Sequence, residues 1–133
     1  MEILEFREPA VERDMDLTRE ILIKIAADKR LSGANWIRFG TPEELGITGR
    51  SAEEVGYHLD MLIEAGFLKG KSGMETIPAL NRLTWQGHEL LDDIRDDTIW
   101  GKAKERAKGL TGIGIGLMWE LAKAEIKQKL GLH

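Results

Sequence analysis

Two helix starts lie ten residues apart near the middle of this chain, and that spacing constrains its fold more than any other feature. The first is TPEELG, residues 41–46. Thr41 suits an N-cap, Pro42 the first helical position, and Glu44 the place from which a carboxylate reaches back to the free amides. Gly46 stops this turn at once. The second start is SAEE, residues 51–54, another capping box. Val55, Leu59, Leu62 and Ile63 then recur at helical spacing until Gly66, a residue suited to the left-handed exit of a helix. The pattern predicts a short helix, a tight turn and a longer helix.

The flanks extend the pattern. Asp14 or Asp16 caps an earlier helix with Leu17, Ile21, Leu22 and Ile25 on its core face. Trp36 to Phe39 reads as a short strand. After Gly66, Phe67 to Lys69 opens a strand, GKSG turns the chain, and Met74 to Leu83 returns, with Pro78 at an edge or bulge. Thr84 caps a helix that buries Leu90, Leu91 and Ile94. A further helix over residues 98–108 buries Ile99, Trp100, Ala103 and Ala107. GLTGIGIG interrupts it, and a last helix carries Leu117, Met118, Leu121, Ala122, Ile126 and Leu130 on one side. Four tryptophans offer large anchors for a core. The expected class is α+β, mainly helical: a winged helix-turn-helix with a two-stranded wing and a helical C-terminal extension. The expected division is an N-terminal extension over 1–12, a core over 13–95 and the helical extension over 96–133.

Two phrases carry a resemblance to winged-helix proteins. VGYHLDMLIEAGFL, residues 55–68, resembles the second helix of such a domain running into the wing. RLTWQG, residues 82–87, is similar to the phrase with which many of these proteins leave the wing for the next helix. RDMDL, YHLDMLIEAG, RLTWQGHELLDDIRDDTIW and LAKAEIKQKLGL together resemble a bacterial and prophage family of small proteins of unknown function, related to the YjcQ-type winged-helix proteins. That resemblance implies the fold and brings no activity with it.

The stretch from Arg82 to Trp100 gathers four aspartates, a glutamate and a histidine, so it is the first place to look for catalysis. Paired carboxylates do acid–base work when burial drives their pKa values apart, and the helical reading leaves Glu89, Asp92 and Asp93 toward solvent. His88 and Asp92 share a helix face, but a metal centre needs further ligands, and the other histidines lie at 58 and 133. Asp96 or Asp97 suits a helix cap, Gly87 a close backbone approach, and Trp85 and Trp100 a clamp on the ends of the helical unit. Gly112, Gly114 and Gly116 do not form a dinucleotide fingerprint. The reading is scaffold, with no catalytic residue, cofactor or metal, and the protein is expected not to be an enzyme.

Charge narrows the partner. The net charge of −4 conceals twelve basic against twenty acidic residues over 1–100, and seven against three over 101–133. The chain has no cysteine, the N-terminal stretch lacks an apolar signal core, and no run is long enough to span a membrane, so a cytoplasmic protein is expected. Two functions fit. One is a regulatory protein that binds double-stranded DNA through Arg38, Arg50, Tyr57, His58, Lys69, Lys71 and Arg82. Against it, the helix from Ser51 to Gly66 carries Glu53, Glu54, Asp60 and Glu64 and no Lys or Arg. For His58 the alternative is a satisfied, partly buried histidine. The other function is a protein-interaction module, including a homodimer, that meets its partner through Leu117, Met118, Trp119 and Leu121.

Overall fold

The computed structural model describes residues 12–132. The N-terminal extension expected over 1–12 lies outside them except for Glu12, as does His133. The described chain is α+β and mainly helical. It runs α1 (Met15–Ala27), a 3-10 turn (Pro42–Leu45), α2 (Ala52–Glu64), β1 (Leu68–Lys71), β2 (Ala79–Leu83), α3 (Trp85–Ile94), α4 (Asp97–Ala107) and α5 (Ile115–Lys129). β1 and β2 form one antiparallel sheet.

Local chemistry starts most of these helices where the sequence places them. The carboxylate of Asp14 accepts from the Leu17 amide at 3.1 Å, and Ser51 Oγ accepts from the Glu54 amide at 3.1 Å. Thr84 Oγ1 accepts from the Gly87 amide at 3.0 Å and donates to the Gly66 carbonyl at 2.6 Å, so one hydroxyl joins the α2 exit to the α3 start. Gly66 is left-handed, with φ 85°. Thr41, in contrast, makes no side-chain cap. Glu44 reaches past it to the Gly40 amide at 2.9 Å.

Two of the three strands expected before Thr84 shrink, while the one opening near Phe67 is found as β1. Trp36 to Phe39 keeps a single bridge, Ile37 to Leu80. The carbonyls of Gly33 and Asn35 are taken by the Asn81 side-chain amide, each at 3.2 Å, instead of by a ladder. Asn81 is free to do this because it is the extra residue of a bulge: Lys69 faces Arg82, while Gly70 already faces Leu80. The returning strand starts at Ala79 rather than Met74, which is fully exposed. The intervening loop instead lies against α2. A Cβ on Gly56 would stand 2.1 Å from the Thr76 carbonyl oxygen, and Ser72 Oγ donates to Asp60 at 2.5 Å.

One hydrophobic cluster runs through the whole arrangement, from Leu17 and Ile21 in α1, through Leu59, Leu80 and Leu90, to Trp100 and Ala103 in α4 and Met118 and Ala122 in α5. Each fully buried leucine or isoleucine there contributes about 1.5–3 kcal/mol. Only part of the expected tryptophan anchoring is present. Trp100 is buried and Trp119 half-buried, but Trp36 is 48% and Trp85 80% exposed, so Trp85 clamps nothing. Trp85 is the first residue of α3, where the chain has just left the sheet.

The aspartate-rich stretch holds helices together. Asp96 caps α4 by accepting from the Ile99 amide at 2.9 Å. Arg19 of α1 donates to the carbonyls of Ile94 and Arg95 at the end of α3 and to Asp97 at 2.6 Å, clasping the α3–α4 joint. Trp100 Nε1 donates to Asp16 at 2.7 Å. Asp93 is not turned to solvent as expected: it accepts from Trp119 Nε1 at 2.7 Å and anchors α5.

Candidate nucleic-acid interface

The seven residues singled out for nucleic acid fall into two places. Arg50, Tyr57 and His58 lie where α1 meets α2. His58 is 2% exposed. Its Nε2 accepts from the Asp14 amide at 2.8 Å, and its Nδ1 donates to the Glu54 carbonyl at 2.7 Å. It is the satisfied, buried histidine, with neither ring nitrogen left for a partner. Tyr57 packs edge-on against its ring, with centroids 5.9 Å apart. Arg50 is paired with Asp14 at 2.9 Å and with Glu54 at 3.0 Å, and these carboxylates hold its guanidinium pKa above the ordinary value.

α2 itself offers little to a groove. Val55, Gly56, His58, Leu59 and Leu62 are buried, and the side chains of Ile63 and Asp60 meet the hairpin. Its exposed positions are Glu53 and Glu64, both acidic. A helix that presents carboxylates repels phosphate.

The other four residues, Arg38, Lys69, Lys71 and Arg82, sit on or beside the hairpin. Lys69 and Arg82 are cross-strand partners, so both project from the same face, opposite buried Leu68 and Leu83. The Ile37 bridge brings Trp36 and Arg38 alongside β2. Lys69 Nζ lies 6.0 Å from the Trp36 ring, a cation over an exposed indole. Arg38 meets Glu75 at 3.5 Å, with both side chains about two-thirds exposed, a pairing that solvent weakens. Among the described residues Lys69, Lys71 and Arg82 make no ion pair, as is also true of Arg13, Lys24, Lys29, Lys102, Lys127 and Lys129.

A pattern in the sequence marks this face. Residues 29–42, 65–74 and 76–88 contain no Asp or Glu and hold six of the nineteen Lys and Arg. The other thirteen share the remaining chain with all twenty-three acidic residues. The Ile37–Leu80 bridge and the β1–β2 ladder bring the three acid-free segments together. Folding thus brings Lys69, Lys71, Arg82 and Arg38 together at the hairpin, with Glu75 of its loop against Arg38 and two exposed indoles, Trp36 and Trp85, in these segments. Trp36 and Trp85 read in the sequence as core anchors because tryptophan is costly to expose.

The candidate interaction face on α5 does not stay together. Met118 is buried and Trp119 and Leu121 are half-buried, with Trp119 edge-on to Phe67 at 5.8 Å, while Leu117 is 43% exposed. The helix turns Met118, Ala122 and Glu125 inward, and Arg106 pairs with Glu125.

A cleft of about 400 Å³ opens between α1, α2 and the start of α5, lined by Met15, Met61, Leu62 and Ile115, with Arg13 and Glu64 among its polar residues. Its Thr18 hydroxyl donates to the Asp14 carbonyl, and its His58 is already bonded at both nitrogens. No group of three or more His, Asp or Glu is placed to hold a metal ion among the described residues, and no helix there is long and apolar enough to cross a membrane.

Comparison with known proteins adds a family. A family model described as "Hypothetical protein (DUF2513)" matches residues 12–114, from just before α1 to the residue preceding α5. The chain belongs to the DUF2513 family. A relative from Haemophilus influenzae, named only as an uncharacterized protein, is 34% identical over 124 residues, which cover 90% of this chain and 99% of the relative. No solved structure matches the chain.

Proposed function

We propose that this DUF2513 protein is a nucleic-acid-binding protein of winged-helix type, a bacterial or prophage accessory or regulatory factor of the cytoplasm, and not an enzyme. The single observation that carries the reading is the gathering at the hairpin of Lys69, Lys71 and Arg82, which make no ion pair among the described residues, beside the exposed Trp36. The contacts fall to Lys69, Lys71 and Arg82, with Arg38, beside Glu75, at the margin. They meet phosphates, which set affinity without specifying sequence. α2 is not the reading element, because the hairpin loop covers one face and carboxylates occupy its exposed positions.

The test is fluorescence anisotropy of labelled mixed-sequence DNA, single- and double-stranded, at low and physiological salt. Binding of either form should weaken with salt on a log–log slope of roughly −2 to −4, as expected for three or four phosphate contacts. Lys69→Glu with Lys71→Glu should abolish it. If neither form binds at low salt, the reading fails, and a protein partner takes its place.

A further inference from the structure

We infer that the hairpin face is built for single-stranded nucleic acid, with Trp36 as a stacking platform for a base. The inference rests on the proposed polyanion site at the hairpin and names the form of ligand that it prefers.

The first argument is Trp36 itself. It is 48% exposed, whereas Trp100 is buried in the core. Its backbone is fixed on both sides. Ile37 exchanges hydrogen bonds with Leu80 at 2.8 and 2.9 Å, and the Asn35 carbonyl accepts from the bulged Asn81. The ring is thus presented by a held segment. A rigidly presented aromatic face loses little entropy on taking a base.

The second argument is the cation beside it. Lys69 Nζ lies 6.0 Å from the ring centre, and Arg82 faces Lys69 across the strands. A base on the indole puts its own phosphate within reach of these two side chains. Trp85, 80% exposed, is a second open indole, at the start of α3.

A duplex can meet the lysines through its phosphates but cannot use the indole. In B-form DNA the bases are stacked on each other and offer no free face to an indole. Direct readout of a duplex needs an element that enters a groove with donors. α2 presents Glu53 and Glu64 instead.

The test uses the full chain with a short labelled mixed-sequence DNA strand and the matching duplex at about 50 mM salt. The strand should bind at least about tenfold more tightly than the duplex, with quenching of tryptophan emission. Trp36→Ala should weaken strand binding roughly five- to a hundredfold, the range of one base stack, and leave duplex binding unchanged. Trp36→Phe keeps a ring and should retain most of the affinity, which separates stacking from any loss of fold. Duplex binding as tight as strand binding, or a Trp36→Ala variant with unchanged strand affinity, overturns the inference while leaving the polyanion site standing. Absence of binding to both forms removes the parent reading with it.

Discussion

The carbonyl oxygen of Thr76 occupies the space that a side chain on Gly56 would need: a Cβ there would stand 2.1 Å away. The hairpin loop therefore rests directly on the backbone of α2. Gly56→Ala should destabilise the protein by about 2–3 kcal/mol through overpacking. Helix propensity alone favours alanine by about 1 kcal/mol, so a net loss in urea denaturation identifies the contact. A neutral or stabilising result would mean that the loop lifts off α2 at little cost.

Gly87 and Gly101 make a matched pair in successive helices. A Cβ on Gly87 would stand 2.0 Å from the Phe67 carbonyl oxygen, whereas one on Gly101 meets nothing within 4 Å. Gly87→Ala should cost about 2–3 kcal/mol, and Gly101→Ala should gain about 0.5–1 kcal/mol. Thermal melts of the two variants check both signs.

Much of this architecture was legible in the sequence because caps act locally. Ser51, Thr84 and Gly66 do what their residue types do at helix ends, and the apolar spacing around Leu17, Leu59 and Leu90 already named the core. The rest depended on long-range contacts. Nothing near Met74 says that the return strand waits until Ala79, because the cause is Gly56, some twenty residues upstream, accepting the loop. Nothing near Asp93 announces Trp119. The candidate interface was half legible. Lys69, Lys71, Arg82 and Arg38 were identifiable as cations close to the hairpin. Arg50 and His58 could not be set aside until Asp14 was found against both.

Acid should loosen the protein at Asp14. Partial burial works against its charge, but the Leu17 amide and the Arg50 guanidinium outweigh that and hold its carboxyl below the ordinary value of 3.8. Asp28, bonded to Arg30, and Asp96, bonded to the Ile99 amide, are lowered as well. A carboxylate with a depressed folded-state pKa contributes stability above its unfolded value and loses it as pH falls through the folded one. Stability should therefore hold at neutral pH and decline below about pH 4. Asp14→Asn keeps a competent cap and should flatten that decline. A melting temperature with the same acid slope in wild type and variant would count against the assignment.

Asp93 and Trp119 should be energetically coupled. Asp93→Ala removes the acceptor of the indole N–H, and Trp119→Phe removes the donor while keeping a ring beside Phe67. Each should cost about 1–2 kcal/mol. The double variant should lose about 1 kcal/mol less than the two losses added together. Strict additivity in denaturant titrations would show that the bond contributes nothing.

His58 should tolerate little. It fills a buried position and takes the Asp14 amide, so His58→Ala leaves both a cavity and an unpaired N–H at the start of α1. A loss of about 2–4 kcal/mol is expected in equilibrium unfolding. Nucleic-acid affinity should be unchanged under conditions where the variant remains folded, because its ring never meets solvent.

The acid-free segments also give the molecule an electrical axis. Lys69, Lys71 and Arg82 on the hairpin, against the carboxylates of α2 and of the aspartate-rich stretch, form a dipole that reaches beyond any single contact. In the field of a polyanion such a body turns before it touches, hairpin foremost, and its acidic remainder is pushed outward. Two copies arriving on neighbouring stretches would then present like-charged flanks to each other, which favours spaced occupancy over a crowded array.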